Sequence, residues 1–215
     1  MTDAKQMFNK SFNDLTFLQS TFNTKYNYAF VFDFDLTLTL KSSDGFDYNK
    51  NFIELFESEY KLHKLKVFLY KIKKLGNSIY INTRALVKDV KLILNNVGIE
   101  VGPEKIIKDI KGSQFIEHIE KPFTNEELSM YNLEQIDNKK ILWGIKKVIY
   151  LNKISEDENI PKANVLFFDD SIININTSKV NGYINSFLIG SNDSGIIGLD
   201  FLLIKLEQIL DTLYM

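Results

Sequence analysis

The segment from Tyr28 to Thr37, which reads YAFVFDFDLT, decides the fold of this chain. It begins with an uninterrupted apolar run, which ends in an aspartate, Asp33. Such a run is typical of a strand that is buried on both faces, as the strands of parallel sheets are. An acid at the end of a buried strand is costly unless a cation or a hydrogen-bond donor lies beside it. The segment therefore predicts a parallel sheet with an acidic site at one edge.

Short apolar strands alternate with amphipathic helices along the rest of the chain. Further strands are predicted over residues 78–82, 141–143, 164–168 and 183–189, and helices over residues 3–23, 51–75, 85–97, 146–157, 172–180 and 198–213. Residues 105–110 and 114–119 fit either structure. This alternation predicts an α/β fold, with a doubly wound, mostly parallel, Rossmann-like sheet and helices on both faces. The chain has 215 residues and no repeat or Pro-rich linker, which favours a single domain over residues 1–215.

Composition and charge exclude several classes of function. The formal net charge of −2 offers no broad basic surface, so nucleic acid is not an expected partner, except for phosphorylated ends. Cysteine is absent, which excludes disulfides and thiolate chemistry and favours a cytoplasmic location. No apolar run approaches the roughly 18 residues that a membrane-spanning helix needs, so no membrane association is expected.

Polar residues directly follow the predicted strands, and in a parallel sheet the carboxyl ends of the strands share one edge, where ligands bind. The residues at these positions are Asp33, Asp35, Thr83, Arg84, Lys146, Lys147, Asp169 and Asp170. Grouped carboxylates cannot all stay ionised without a cation, and oxygen ligands without nearby His or Cys favour Mg²⁺. Taken singly, Thr83 or the pair Asp169-Asp170 would suit a helix N-cap equally well. Together they predict a magnesium site for an anionic substrate.

The same residues resemble the four motifs of the haloacid dehalogenase-like phosphatases. Asp33-Phe34-Asp35-Leu36-Thr37 resembles the first motif, Thr83 the second, a lysine that opens a helix the third, and Phe167-Phe168-Asp169-Asp170 the fourth. Each motif alone has little specificity, but all four occur in the family's order. The resemblance covers residues 28 to about 190. It implies the haloacid dehalogenase-like fold and hydrolysis of phosphate esters with Mg²⁺ as cofactor.

The resemblance also implies the roles of the acidic residues. Asp33 would be the nucleophile that forms an aspartyl-phosphate, and Asp35 would be the general acid and then the base. The Asp33 carboxylate, the Asp35 backbone carbonyl and Asp170 would bind Mg²⁺. Asp169 would support these ligands without binding the ion directly, and Asn174 would act through a metal-bound water.

The remaining motif positions would contact the substrate. Thr83 would donate a hydrogen bond to a phosphoryl oxygen, and Thr37 and Arg84 would also bind the substrate. A lysine would offset the charge of the nucleophile and the phosphoryl group. Lys147 fits this role best by its spacing to Asp169, with Lys146 as the alternative and Lys139 and Lys140 as further candidates.

An acid two residues after the nucleophile suits an oxygen leaving group, so phosphomonoester hydrolysis is favoured over dehalogenation. The resemblance leaves room for only a short flap over residues 40–50 and a small lid over residues 100–138. Such an open site suits large substrates, such as phosphoproteins or nucleic-acid ends, or it is closed by a second subunit in a homodimer. Loops alone can also close over a small phosphorylated metabolite. A catalytically inactive scaffold is one alternative. A phosphoacceptor domain is another, but its acidic pair would precede the acceptor aspartate, which is the reverse of the order here.

Overall fold

The computed structural model describes residues 27–112, 138–190 and 198–214. Within them, one five-stranded sheet has the order β3-β2-β1-β4-β5, and each neighbouring pair is parallel. The strands are β1 (Ala29–Phe32), β2 (Ser78–Asn82), β3 (Asp109–Lys111), β4 (Val165–Asp169) and β5 (Ser186–Leu188). The expected α/β fold with a parallel, Rossmann-like sheet is thus confirmed.

Helices cover both faces of this sheet. They are α1 (Glu59–Lys74), α2 (Val87–Asn96), α3 (Asn138–Asp157), α4 (Ile172–Val180) and α5 (Leu199–Tyr214), with short 3₁₀ turns at Phe52–Phe56 and Lys162–Asn164. Phe30 and Phe32 point to the side covered by α1, α2 and α5, whereas Ala29 and Val31 point to the side covered by α3 and α4. This burial on both faces explains the continuous apolar run of β1.

The predicted strand over residues 141–143 is wrong, because these residues belong to α3. Three apolar residues are too few to distinguish a strand from a helix. The apolar positions Ile145, Val148 and Leu151 continue the run at helical spacing and are fully buried, so the helix simply begins earlier than expected. Lys146 and Lys147 consequently lie within α3 and not before its first turn.

The predicted helix over residues 51–75 is divided into the turn Phe52–Phe56 and α1. Glu57 has a positive φ of 68°, and Ser58 caps α1 by accepting a hydrogen bond from the backbone N–H of Lys61. The expected helix over residues 3–23 lies outside the described residues. So does most of the expected lid over residues 100–138, since residues 113–137 are not described; the lid stays a prediction.

The strand register brings the predicted site residues to one level. Phe32 of β1 pairs with Ile81 of β2 and with Phe168 of β4, so the residues that follow them, Asp33, Asn82 and Asp169, lie side by side at the carboxyl ends of the three strands. The ring of Phe32 stacks on that of Phe168 with centroids 4.9 Å apart, which fixes the two acidic strand ends relative to one another. In the part of the chain that is described, no helix has the length and hydropathy to cross a membrane.

Candidate active site

Asp33 directly follows β1, and its backbone N–H donates to the carbonyl oxygen of Phe168 over 2.8 Å. Its side chain is almost fully buried, and its Oδ1 lies 2.6 Å from Nζ of Lys147. Nζ also lies 3.0 Å from Oδ2 of Asp169 and donates to the carbonyl oxygen of Asn82. One buried ammonium therefore connects the ends of β1, β2 and β4.

Three carboxylates, those of Asp33, Asp169 and Asp170, bring one oxygen each to within 4.8 Å of the others. Asp169 is fully buried, and its Oδ1 accepts hydrogen bonds from the Ser171 N–H at 2.9 Å and from Nδ2 of Asn174 at 2.8 Å. Among the described residues, three carboxyl groups thus gather around one ammonium, that of Lys147. The excess of charge and the all-oxygen donors fit a divalent cation such as Mg²⁺.

Burial and mutual repulsion shift the ionisation of this cluster. Burial raises the pKa of Asp33 to about 7, where the attraction of Lys147 opposes the shift and the charge of Asp169 adds to it. Burial and the charge of Asp169 likewise raise the pKa of Asp170 to about 6. For Lys147, burial alone lowers the pKa, but Asp169 and Asp33 more than offset it, so its pKa lies above the usual value. A cation at the cluster would favour the ionised carboxylates.

Asp35 lies in the turn Phe34–Leu38, in which Leu36 has a left-handed φ of 60°. Its carboxylate accepts two hydrogen bonds from Ser43, one from the backbone N–H at 2.6 Å and one from the hydroxyl at 3.2 Å. The start of α5 supports this turn: a Cβ on Gly198 would lie 2.8 Å from the Leu36 carbonyl oxygen, so only glycine fits there. The general acid expected from the sequence is thus held by the flap segment.

Thr83 follows β2 and is buried, and its Oγ1 accepts a hydrogen bond from the backbone N–H of Ala85 at 3.1 Å. This contact leaves the hydroxyl proton available for a bound anion. Thr37, in contrast, is fully buried beneath the turn, and its hydroxyl has no hydrogen-bond partner among the described residues. Thr83 therefore lines the site, whereas Thr37 is not among the residues that line it.

A cleft of about 740 Å³ opens in front of these groups. We call it the catalytic cleft; among its lining residues are Asp33, Asp35, Asp170, Thr83, Arg84, Trp143, Ser43, Phe46, Tyr48 and Asp89. Residues of the segment 42–46 form one wall, which is where the short flap was expected. Arg84 and Trp143, which stack on each other, form another part of the lining. The cleft therefore has more space than one phosphoryl group would fill.

The structure brings Lys147, and not Lys146, to Asp33. Lys146 lies instead with its Nζ 4.9 Å from the ring centroid of Trp143, and the side chains of Lys139 and Lys140 are outside the described part. Asn174 binds Asp169, which matches a position near the metal cluster. Sequence reasoning missed Ser43, the carbonyl of Asn82 and Trp143. Of these three, only Asn82 could have been found from the sequence, because it stands at the end of the predicted strand over residues 78–82.

Comparisons with known proteins bear on the fold. No protein-family model matches the sequence, and no curated protein matches it either. Among solved structures, the 3-deoxy-D-manno-octulosonate 8-phosphate phosphatase from Moraxella catarrhalis aligns with a TM-score of 0.51 and 13% identity, covering 91% of each chain. A probable YrbI family phosphatase from Pseudomonas syringae pv. phaseolica aligns with a TM-score of 0.48 and 13% identity, covering 92% of this chain and 91% of that one. The first likeness shows that this chain has the fold of that phosphatase, as the four motifs imply.

Proposed function

We propose that this chain is a Mg²⁺-dependent phosphomonoester hydrolase that works through an aspartyl-phosphate on Asp33. The observation that carries the proposal is the buried ion pair between Asp33 and Lys147 at the base of an open cleft. Asp169 and Asp170 complete an acidic cluster around it. A nucleophilic carboxylate, a cation to orient it and donors for a metal ion are thus grouped at one sheet edge.

Asp33, Asp170 and the backbone carbonyl of Asp35 would hold the Mg²⁺ ion. Asp169 is already engaged by Lys147, Ser171 and Asn174, so it would support the cluster without binding the ion directly. Bound there, Mg²⁺ would neutralise charge on the phosphoryl oxygens. The Moraxella catarrhalis phosphatase of the same fold was solved with a magnesium ion and a phosphate ion, which supports this cofactor.

In the first step an Asp33 carboxylate oxygen attacks phosphorus, and the bond from phosphorus to the ester oxygen breaks. Asp35 gives its proton to the departing oxygen, so the product leaves as an alcohol. In the second step water attacks the aspartyl-phosphate, and Asp35 takes a proton from that water. Inorganic phosphate leaves and the Asp33 carboxylate is restored.

Lys147 and Thr83 would stabilise the negative charges of Asp33 and of the phosphoryl group. Lys147 favours the ionised form of Asp33 and keeps its carboxylate at a fixed position, because its ammonium is shared with Asp169 and Asn82. Thr83 would donate its hydroxyl proton to a phosphoryl oxygen. Since Asp35 lines the same cleft as Asp33, hydrolysis is favoured over storage of a phosphoryl group on the aspartate.

The decisive experiment measures phosphate release from para-nitrophenyl phosphate with Mg²⁺ and after chelation. We expect turnover with the metal, loss of turnover with EDTA, and a fall of at least about a thousandfold for Asp33→Asn. Asp211→Asn, on the exposed side of α5, is the matched control. Equal hydrolysis by the wild type and Asp33→Asn would show that the enzyme proposal is wrong.

The two alternatives give different results in the same experiment. A phosphoacceptor domain would label Asp33 once, from a small phosphodonor, without repeated turnover. An inactive scaffold would give neither label nor turnover. Mass spectrometry of the acid-quenched protein separates these cases, since an aspartyl-phosphate adds a single phosphoryl group to the peptide that contains Asp33. The substrate itself, a phosphorylated metabolite or a phosphoprotein, belongs to the proposal and requires a substrate panel.

A further inference from the structure

We propose that the catalytic cleft contains a second anion-binding position, formed by Arg84 and Lys146 around Trp143. The preferred substrates would then be phosphomonoesters that carry another anionic group, a phosphate or a carboxylate. This inference rests on the proposed phosphatase function and specifies its substrate class. It concerns the wall of the cleft, whereas the acidic cluster lies at its base.

Two cations converge on one indole ring at this wall. The guanidinium carbon of Arg84 lies 4.6 Å from the ring centroid of Trp143, and Nζ of Lys146 lies 4.9 Å from it. Arg84 and Trp143 both line the cleft. Cations stack favourably on Trp, but two like charges beside one ring also repel each other. The ring therefore holds two cations beside the part of the cleft that Arg84 and Trp143 line, and this is where an anionic group of the substrate would be attracted.

Neither cation has an acidic partner within the described ranges 27–112, 138–190 and 198–214. Lys147, Lys61 and Lys108, by comparison, each form an ion pair with a carboxylate. Partial burial lowers the pKa of Lys146, and no carboxylate offsets that effect. A partly buried ammonium without a counter-ion is unfavourable, and an anion arriving with the substrate would remove the cost.

The distance from the second anion position to Asp33, the proposed nucleophile, determines how large the substrate would be. Arg84 is the next residue after Thr83, and both line the cleft. On α3, Trp143 lies four residues before Lys147, which binds Asp33, so their backbone positions differ by about 6 Å along the helix axis. A compact metabolite with two anionic groups a few bonds apart spans that separation.

Arg84 has one alternative role, which is to bind the scissile phosphate together with Thr83. The two roles differ in what they predict for paired substrates. If Arg84 binds the scissile phosphate, its loss weakens every phosphomonoester equally. If it binds a second anion, its loss weakens only the substrate that carries that anion, and the ratio between paired substrates changes.

The experiment compares kcat/KM for two pairs of substrates with Mg²⁺. Phosphoglycerate and glycerol phosphate differ by a carboxylate, and propanediol bisphosphate and propanediol monophosphate differ by a phosphate. We expect the wild type to prefer the doubly anionic member of at least one pair by about tenfold to a hundredfold, the range of a charge-assisted contact. The pair that shows the preference identifies the second anion as carboxylate or phosphate.

Arg84→Gln and Lys146→Gln should each reduce this preference toward unity. Lys88→Gln is the control. It removes an exposed cation on α2 that does not line the cleft, and the preference for the doubly anionic substrate should remain. Circular dichroism verifies that each variant is folded. No preference in the wild type, or an equal loss on both members of a pair in Arg84→Gln, would overturn the proposal.

A binding measurement separates this inference from the phosphatase proposal. Titration of the Asp33→Asn variant with each member of a pair measures affinity without turnover. A tighter Kd for the doubly anionic member supports the second anion position, even if the wild type releases no phosphate from any substrate. Equal Kd values for both members of both pairs contradict it.

Discussion

Ser43 holds the carboxylate of Asp35 with two hydrogen bonds, from its backbone N–H at 2.6 Å and from its hydroxyl at 3.2 Å. The two residues come from the turn after β1 and from the flap segment, and Ser43 is buried. The flap therefore does more than shape the cleft wall, because it also determines where the proposed general acid lies.

Ser43→Ala removes the hydroxyl contact but keeps the backbone one. We expect kcat on alkyl phosphates to fall about threefold to tenfold, in line with the ~0.5–1.5 kcal/mol of one hydrogen bond. The effect on para-nitrophenyl phosphate should be smaller, since nitrophenolate leaves without a proton. Ser42→Ala is the control, because the Ser42 hydroxyl accepts a hydrogen bond from the Asp44 backbone N–H and forms none with Asp35 among the described residues. An equal loss on both kinds of substrate would contradict this role of Ser43.

Lys147→Met should destabilise the fold strongly, because it leaves the charges of Asp33 and Asp169 buried without their partner. Breaking a buried ion pair in this way typically costs about 3–5 kcal/mol. Urea denaturation in the presence of EDTA measures the free energy of unfolding. Lys153→Met on the same helix removes only an exposed pair with Asp157 and should cost at most about 0.5 kcal/mol. A similar loss of unfolding free energy in Lys147→Met and Lys153→Met would contradict the buried ion pair of Lys147.

Stability should depend on pH through Asp33. Its pKa is about 7 in the folded protein and 3.8 as a reference, so the folded state binds a proton more readily than the unfolded state. This group's contribution is therefore present at low pH and is lost as the pH rises from about 4 to 7. In EDTA, we expect Asp33→Asn to lose less stability over this interval than the wild type. Parallel stability curves for the two proteins would refute the expectation.

Mg²⁺ should raise the thermal midpoint of unfolding, since the three carboxylates gather only in the folded chain. At a metal concentration of about 100 times Kd, binding adds roughly 2.7 kcal/mol. Asp170→Asn should weaken the effect, while Asp211→Asn should retain it. Because protons compete for the raised pKa values of Asp33 and Asp170, the shift should grow between pH 5 and about 7. Differential scanning calorimetry with and without MgCl₂ measures it.

The strand ends were predictable from the sequence because buried strands and the polar residues after them follow simple patterns. The position of Lys147 was also predictable in principle: it shares a helical face with Val148, Leu151 and Ile154, and Lys146 does not. The contacts of Ser43 with Asp35 and of Arg84 with Trp143 were not, because loop conformation and long-range side-chain packing bring these residues together. The start of α3 was missed, since a three-residue apolar run has no period of its own.

The close packing of Gly198 against the turn that contains Leu36 sets an order of events during synthesis of the protein. The turn that carries Asp35 emerges early, but the glycine that supports it follows 162 residues later. At ~5–20 residues per second, translation of that interval takes about 8–32 seconds. Until Gly198 is made, the turn that carries Asp35, the proposed general acid, lacks this support. Under the proposed mechanism, the turn that carries the general acid is therefore complete only after α5 has been synthesised.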